Sequence, residues 1–245
     1  MCRKRLIDLS NQANMKEIVT FSDFLNLNEL HIYHTTKSLF YTATKSFGGY
    51  ENAERQMIAF IPDALCYEWQ YPIACIQMEP LYPKFAEKLT HRDMLGALMN
   101  LGIDRGKIGD IVCKDQAFYV FADEMIAPFL MDNVTQVKHT MMKKTWLDDV
   151  THLQVQPEFE ERFEMIASNR IDCIIAKAYH MSRAQAAEVL IAEKVFIDGK
   201  CITNCNQSCN SGAIVSVRGN GRFVFETGDE LSKKGKLKVR LLFYK

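Results

Sequence analysis

The sequence predicts an α+β protein built in three parts, and three observations carry that expectation. Apolar spacing alternates between helical and strand periods along the chain. From residue 71 to 142 the elements follow the order β-α-β-β-α-β, the split βαβ arrangement of ferredoxin-like and RNA-recognition folds. From residue 170 onward, two short helices lead into twisted strands with arginines at the element ends. The expected divisions are an N-terminal α/β unit (1–70), a ferredoxin-like or RNA-recognition-like domain (71–164) and a C-terminal unit of two helices and twisted strands (165–245).

In the first part, a scattered apolar stripe of Met15, Ile18, Val19, Phe24 and Leu25 predicts one or two helices between about Ser10 and Leu30. Leu39 to Ala43 is rich in strand formers, and Gly48-Gly49 suits a tight turn. A helical turn is expected at Glu51–Arg55, before the apolar run Met57–Ile61.

In the second part, Ile73–Met78 reads as a strand and His91–Leu101 as a helix closed by Gly102. Ile108–Lys114 and Ala117–Phe121 read as a hairpin, Asp123–Met131 as a helix and Val134–Met142 as a last strand. Trp146–Pro157 is expected to connect, and Glu158–Ser168 to form an acidic helix. Phe118, Tyr119 and Phe121 could stack bases, but the lysine/arginine-glycine-aromatic signature is missing, so a core sheet is expected.

In the third part, Ile171, Ile174, Ile175 and Ala178 recur at helical spacing, which leaves Arg170 and Lys177 off the buried stripe. Ser182 and Gln185 have the form of a capping box and place Arg183 in the first turn of the next helix. A cation there opposes the helix dipole, so it suits a phosphate better than it suits stability. Gly219-Asn220-Gly221 reads as a hairpin turn flanked by Arg218 and Arg222, and Lys233-Lys234-Gly235-Lys236 as a second basic turn.

The chain has 245 residues, ample for two or three compact domains. Its net charge is zero, with 13 Lys+Arg against 7 Asp+Glu from Arg170 onward and 17 against 23 before. A basic module on an acidic body attracts a polyanion through one face. The longest apolar runs fall short of the ~20 residues of a membrane span, and no signal-peptide core follows Met1-Cys2-Arg3-Lys4-Arg5. A cytoplasmic protein with free thiols is therefore expected for the eight cysteines.

The series Arg170-Ile171-Asp172, Ser182-Arg183, Lys194-Val195-Phe196-Ile197 and Ser216-Val217-Arg218-Gly219 resembles the alpha-L RNA-binding module. That module occurs in the small-subunit ribosomal protein called S-four, in pseudouridine synthases and in bacterial tyrosyl-tRNA synthetases. Gly212-Ala213 departs from the Gly-Asp often found there.

Phe21-Ser22-Asp23-Phe24-Leu25, Gly48-Gly49-Tyr50-Glu51, Ala53-Glu54-Arg55 and Phe60-Ile61-Pro62-Asp63 extend the likeness. So do His91-Arg92-Asp93-Met94-Leu95-Gly96, Leu101-Gly102-Ile103-Asp104-Arg105 and Ile108-Gly109-Asp110-Ile111. Together they resemble the YlmH family of bacterial RNA-binding proteins over nearly the whole chain. The resemblance implies a ribosome-associated, non-enzymatic RNA binder, active in quality control on large subunits that carry an obstructed peptidyl-tRNA. It also implies a family history linked to cell division.

The residues expected at RNA are Arg170, Asp172, Lys177, Ser182, Arg183, Lys194, Arg218, Arg222, Lys233 and Lys234, with Arg92 and Arg105 as a second group. Asp172 is expected to orient an arginine, since an unpaired carboxylate would repel phosphate. Neither a cofactor nor a metal is expected, and the protein should be a monomer. Cys201, Cys205 and Cys209 lack the Cys-x-x-Cys pairs and fourth ligand of a zinc site. The His91-Arg92-Asp93 triplet is no kinase loop, because Leu98 stands where the asparagine belongs and no Asp-Phe-Gly occurs. The rival expectations are a pseudouridine-synthase-type enzyme targeted by its C-terminal module and a protein–protein adaptor.

Overall fold

The computed structural model describes residues 2–150, 153, 159–231 and 236–244. The chain is mixed α and β with three antiparallel sheets among the described residues, and it divides into two units, Met1–Val155 and Gln156–Lys245.

The first unit opens with α1 (Cys2–Lys16), the two-residue strand β1 (Thr20–Phe21) and α2 (Leu27–Thr36). Asn26 and Glu29 close a reciprocal capping box that starts α2. Strands β2 (Ala43–Phe47) and β3 (Met57–Ile61) complete a sheet in the order β1-β3-β2. Its core joins Leu6 and Ala13 of α1 to Leu30 and Tyr33 of α2 and to Ile58 and Phe60 of β3. The helices bracket the expected stretch rather than fill it, and Glu51–Arg55 forms turns and bends without a helix.

Next come β4 (Ile73–Pro80), α3 (His91–Asn100), β5 (Ile108–Lys114), β6 (Ala117–Asp123), α4 (Ala127–Asn133), β7 (Gln136–Val137) and β8 (Thr140–Leu147). They form a sheet in the order β5-β6-β4-β8-β7. A tight turn at Lys138, with φ 52°, splits the single last strand that the sequence suggested. One sheet face meets α3 and α4 through Ile76, Met78, Val120, Met94, Leu98 and Leu130. The opposite face carries Cys75, Val112 and Phe121, packed by Tyr50, Val150 and Leu153. Tyr50 stacks on Phe121 with ring centres 4.9 Å apart. Gly49, at φ +101°, leaves room for that ring, which a Cβ would strike.

Asp110 of β5 anchors the preceding loop, accepting from Tyr50 Oη (2.9 Å) and the backbone N–H groups of Glu54 (2.7 Å) and Arg55 (3.2 Å). The Arg55 guanidinium donates to the carbonyls of Ile108 and Phe24. Backbone groups that would otherwise be orphaned are thereby satisfied.

The second unit comprises β9 (Phe159–Ile166), α5 (Ile171–Ala178), α6 (Arg183–Ile191), β10 (Val195–Ile197), β11 (Lys200–Cys201), β12 (Ala213–Val217), β13 (Gly221–Leu231) and β14 (Leu237–Tyr244). Strand order is β11-β10-β12-β13-β14-β9. The expected acidic helix at 158–168 is instead β9, paired with β14 from Phe159↔Tyr244 to Ile166↔Leu237. The helices pack Ile171, Ile174, Ile175, Ala186 and Leu190 against Val215, Val217, Phe223, Phe225, Val239 and Leu241 of the sheet.

Candidate nucleic-acid interface

The expected stripe on α5 is buried, and it projects Arg170 at the N-cap position and Asp172 in the first turn. Ser182 caps α6 by accepting from the Gln185 N–H while Gln185 answers to the Ser182 N–H, so Arg183 opens that helix as expected. The two helix starts converge on one carboxylate. Arg170 reaches Asp172 through Nε to Oδ1 (3.1 Å) and Nη2 to Oδ2 (2.9 Å), while Arg183 Nη2 donates to Oδ2 at 2.6 Å. The Cys173 N–H donates to Oδ1 as well.

Only 5% of the Asp172 side chain is exposed, against 60% for Arg183. Burial by itself would raise the Asp172 carboxyl, yet hydrogen bonds and charge from Arg183 and Arg170 outweigh it and hold the pKa below the ordinary value. The outcome is a buried anion beneath two guanidiniums that still reach solvent. A loop is tied to the start of α5, since the Ile171 N–H donates to the Gln207 carbonyl and the Cys209 N–H to the Asn169 carbonyl.

A second group lies along the β-sheet. Val215, Val217, Phe223 and Phe225 face the core, so Ser216, Arg222 and Val224 alternate onto the opposite face. The Arg222 guanidinium lies 4.2 Å above the Tyr244 ring, and that of Arg218 4.7 Å above Phe196. Lys194 adjoins them, because its carbonyl accepts from the Arg218 N–H at 2.9 Å. Gly219 and Gly221 take φ values of +91° and +117° in the turn between these arginines, which explains the glycines there. Lys177 is exposed on α5 and contacts neither group through a hydrogen bond or ion pair. Lys233 and Lys234 lie outside the described residues.

Arg162 of β9, which sequence reasoning passed over, sits 4.5 Å above the Phe243 ring and is bonded to Glu160. Its place, like the aromatic supports Phe196 and Tyr244, depends on strand register, which no local motif encodes. In the first unit Arg92 is exposed beside the Thr90–Asp93 capping box. Lys138 and the Thr90 hydroxyl and N–H hold the Asp93 carboxyl down to about 2. Arg105 instead donates to the Ile108 and Gly109 carbonyls, and burial, then the charge of Arg55, lowers its guanidinium to about 10.

Cys201 is exposed, Cys205 half-buried and Cys209 buried, the last pushed up to about 12 by that burial. Among the described residues no three His, Cys, Asp or Glu side chains gather as a metal site, and no helix is long and apolar enough to cross a membrane.

Residues 68–148 match the family described as "Putative RNA-binding domain in YlmH". Over 241 residues the chain is 26% identical to the Bacillus subtilis "Ribosome-associated protein quality control protein P2", covering 96% of this chain and 89% of that protein. A solved structure, "Cell division protein ylmH from Streptococcus pneumoniae", aligns with a TM-score of 0.49 at 17% identity, over 60% of this chain and 88% of that one. With a match to that RNA-binding domain in its middle and a relative aligned along nearly its whole length, the chain is similar to the YlmH proteins.

Proposed function

We propose that the protein is a non-enzymatic RNA-binding factor of the cytoplasm, acting as a monomer on ribosomal RNA and tRNA in the quality control of stalled ribosomes. The observation that carries this reading is the Arg170–Asp172–Arg183 cluster, in which one buried carboxylate fixes two solvent-facing guanidiniums. Rigid, outward guanidiniums at helix starts suit phosphate oxygens, because little freedom is lost when the bonds form. The name of the Bacillus subtilis relative supports the ribosomal setting.

We read the second unit as an alpha-L fold and the first as an α/β unit to about residue 70 followed by a ferredoxin-like domain. The β5-β6-β4-β8 order, with α3 and α4 on one face, supports the ferredoxin-like reading. The boundary proposed near residue 165 moves to the start of β9, whose pairing with β14 adds it to the C-terminal sheet. In this reading Arg170, Lys177, Arg183, Lys194, Arg218 and Arg222 meet phosphates, Asp172 and Ser182 position them, and Arg92 belongs to a second contact, while Arg105 is engaged by the Ile108 and Gly109 carbonyls. Such contacts give affinity and salt dependence, and RNA shape gives selectivity.

Co-sedimentation with large ribosomal subunits across a salt series tests the reading. Arg183→Ala should weaken association and lower the salt slope by about one unit. Association unchanged by Arg183→Ala and by Arg170→Ala would refute the assignment.

A further inference from the structure

The first unit holds an exposed aromatic strap that the arginine cluster leaves unused. Between β4 and α3 the chain runs Leu81-Tyr82-Pro83-Lys84-Phe85-Ala86-Glu87-Lys88, with a 3-10 turn at Pro83–Phe85. Phe85 is 88% exposed and Tyr82 62% exposed, beside exposed Leu81 and Met141. The strap is nonetheless fixed. The Leu81 N–H donates to the Met141 carbonyl at 2.8 Å, the Phe85 N–H to the Tyr82 carbonyl at 3.1 Å and the Glu87 N–H to Thr140 Oγ1 at 3.3 Å. Two large rings left in water on this anchored backbone are costly unless something covers them.

Beside the strap, a cleft of about 480 Å³ opens toward the β5–β6 turn, lined by Pro80, Pro83, Lys88, Leu89, Lys114 and Phe118, with Glu87, Asp115 and Gln116 at its polar edge. Its volume lies within the range of small-molecule pockets. Among the described residues Lys84, Lys88 and Lys114 form no ion pair with a carboxylate, whereas Lys138 and Lys143 are paired with Asp93 and Glu79. Rings, lysine ammonium groups and a cleft with mixed donors and acceptors form a combination that fits a nucleotide. Meanwhile the sheet face opposite α3 and α4 carries Tyr50 stacked on Phe121, so bases cannot stack on that ring's covered side.

We propose that this strap and cleft bind unpaired nucleotides of an RNA. One base enters the cleft, neighbouring bases stack on Phe85 and Tyr82, and Lys84, Lys88 and Lys114 meet the backbone. Base-on-ring stacking tolerates sequence, so the site selects single-stranded over paired RNA. The inference rests on the RNA-binding reading above, and it adds a contact in the other unit that would raise overall affinity through linkage.

The test is fluorescence anisotropy of the full chain with a labelled 12-nucleotide polyuridine strand and, separately, a labelled fully paired hairpin. Tyr82→Ala/Phe85→Ala should weaken the single strand about tenfold or more, by loss of stacking, and leave the hairpin nearly unchanged. Both side chains are exposed, and an unaltered circular-dichroism melt would confirm the fold. Lys88→Gln/Lys114→Gln should weaken the strand and reduce its salt slope. Arg183→Ala should show the reverse preference, weakening the hairpin most. Single-strand affinity unchanged by the double aromatic substitution overturns the strap proposal while leaving the arginine cluster standing, whereas a hairpin unaffected by Arg183→Ala undermines the cluster alone. Ribosome association lost with single-strand affinity intact would assign the strap to a protein contact and also overturn the proposal.

Discussion

Arg183 Nη2 and Asp172 Oδ2 lie 2.6 Å apart, which ties the start of α6 to the first turn of α5. Arg170 shares the same oxygen, at 2.9 Å. The carboxylate contributes no attraction for RNA, since its charge opposes phosphate. Its contribution is geometric, because two guanidiniums would otherwise repel and splay apart.

That distinction gives the sharpest prediction. Asp172→Asn removes a negative charge, so simple electrostatics predicts tighter RNA binding. Positioning predicts the opposite, a loss of about tenfold or more, as one charge-assisted bond is worth roughly 1.5–3 kcal/mol. Hairpin affinity by anisotropy decides the sign. Stability should fall by about 1–3 kcal/mol, because a buried acceptor of several donors is replaced.

Acid should act on the same group. Asp172 has a folded-state pKa below its ordinary value, so its stabilisation is complete above the unfolded carboxyl pKa and fades as pH falls through the lower folded value. The melting midpoint of the wild-type chain should therefore drop below about pH 4, and Asp172→Asn should lose less over the same interval. Asp93, held down to about 2, adds a second acid-labile contribution at the start of α3.

Much of this cluster was legible because its determinants are local. The Ser182–Gln185 and Thr90–Asp93 capping boxes each span four residues, and Ile171, Ile174, Ile175 and Ala178 mark one helix face. The stretch Phe159–Ile166 was not legible. Phe159, Phe163 and Ile166 stand at helical i, i+4 and i+7 spacing, and only the long pairing with β14 imposes the extended form. The placement of Arg162 over Phe243 follows from that same pairing, and that of Arg222 over Tyr244 from the pairing of β13 with β14. The exposed strap at Tyr82 and Phe85 was missed for another reason, since exposure has no sequence signature and a Pro-flanked aromatic pair reads as core or loop alike.

Arg105 separates structural from binding roles. Its guanidinium donates to two backbone carbonyls and lies beside that of Arg55. Arg105→Ala should lower the thermal midpoint by several degrees while changing hairpin affinity less than twofold, as roughly 1–2 kcal/mol of buried hydrogen bonding is lost. A larger effect on affinity than on melting would restore it as an RNA contact.

Gly49→Ala tests the close approach between the 48–55 loop and the middle sheet. The residue sits at φ +101°, and an added Cβ would collide with the Phe121 ring that Tyr50 covers. Both the backbone conformation and the overlap disfavour alanine, so a loss of about 2 kcal/mol or more is expected from denaturant unfolding. Gly96, where a Cβ meets nothing within 4 Å, provides the control, and Gly96→Ala in α3 should be neutral or slightly stabilising.

The arginines stacked on the sheet pose the last question, whether their planarity or only their charge matters. Arg222 and Arg218 lie over Tyr244 and Phe196 at 4.2 and 4.7 Å, an arrangement in which a planar cation stacks on an aromatic ring. Lysine keeps the charge but cannot stack in a plane or present a bidentate fork. Arg222→Lys should therefore leave the salt slope of hairpin binding unchanged while lowering affinity severalfold, and Arg222→Ala should lower both, the slope by about one unit. If lysine restored full affinity, the contact would be a point charge and the Tyr244 ring a mere support. If neither substitution altered binding, the RNA surface would be confined to the Arg170–Asp172–Arg183 cluster at the helix starts.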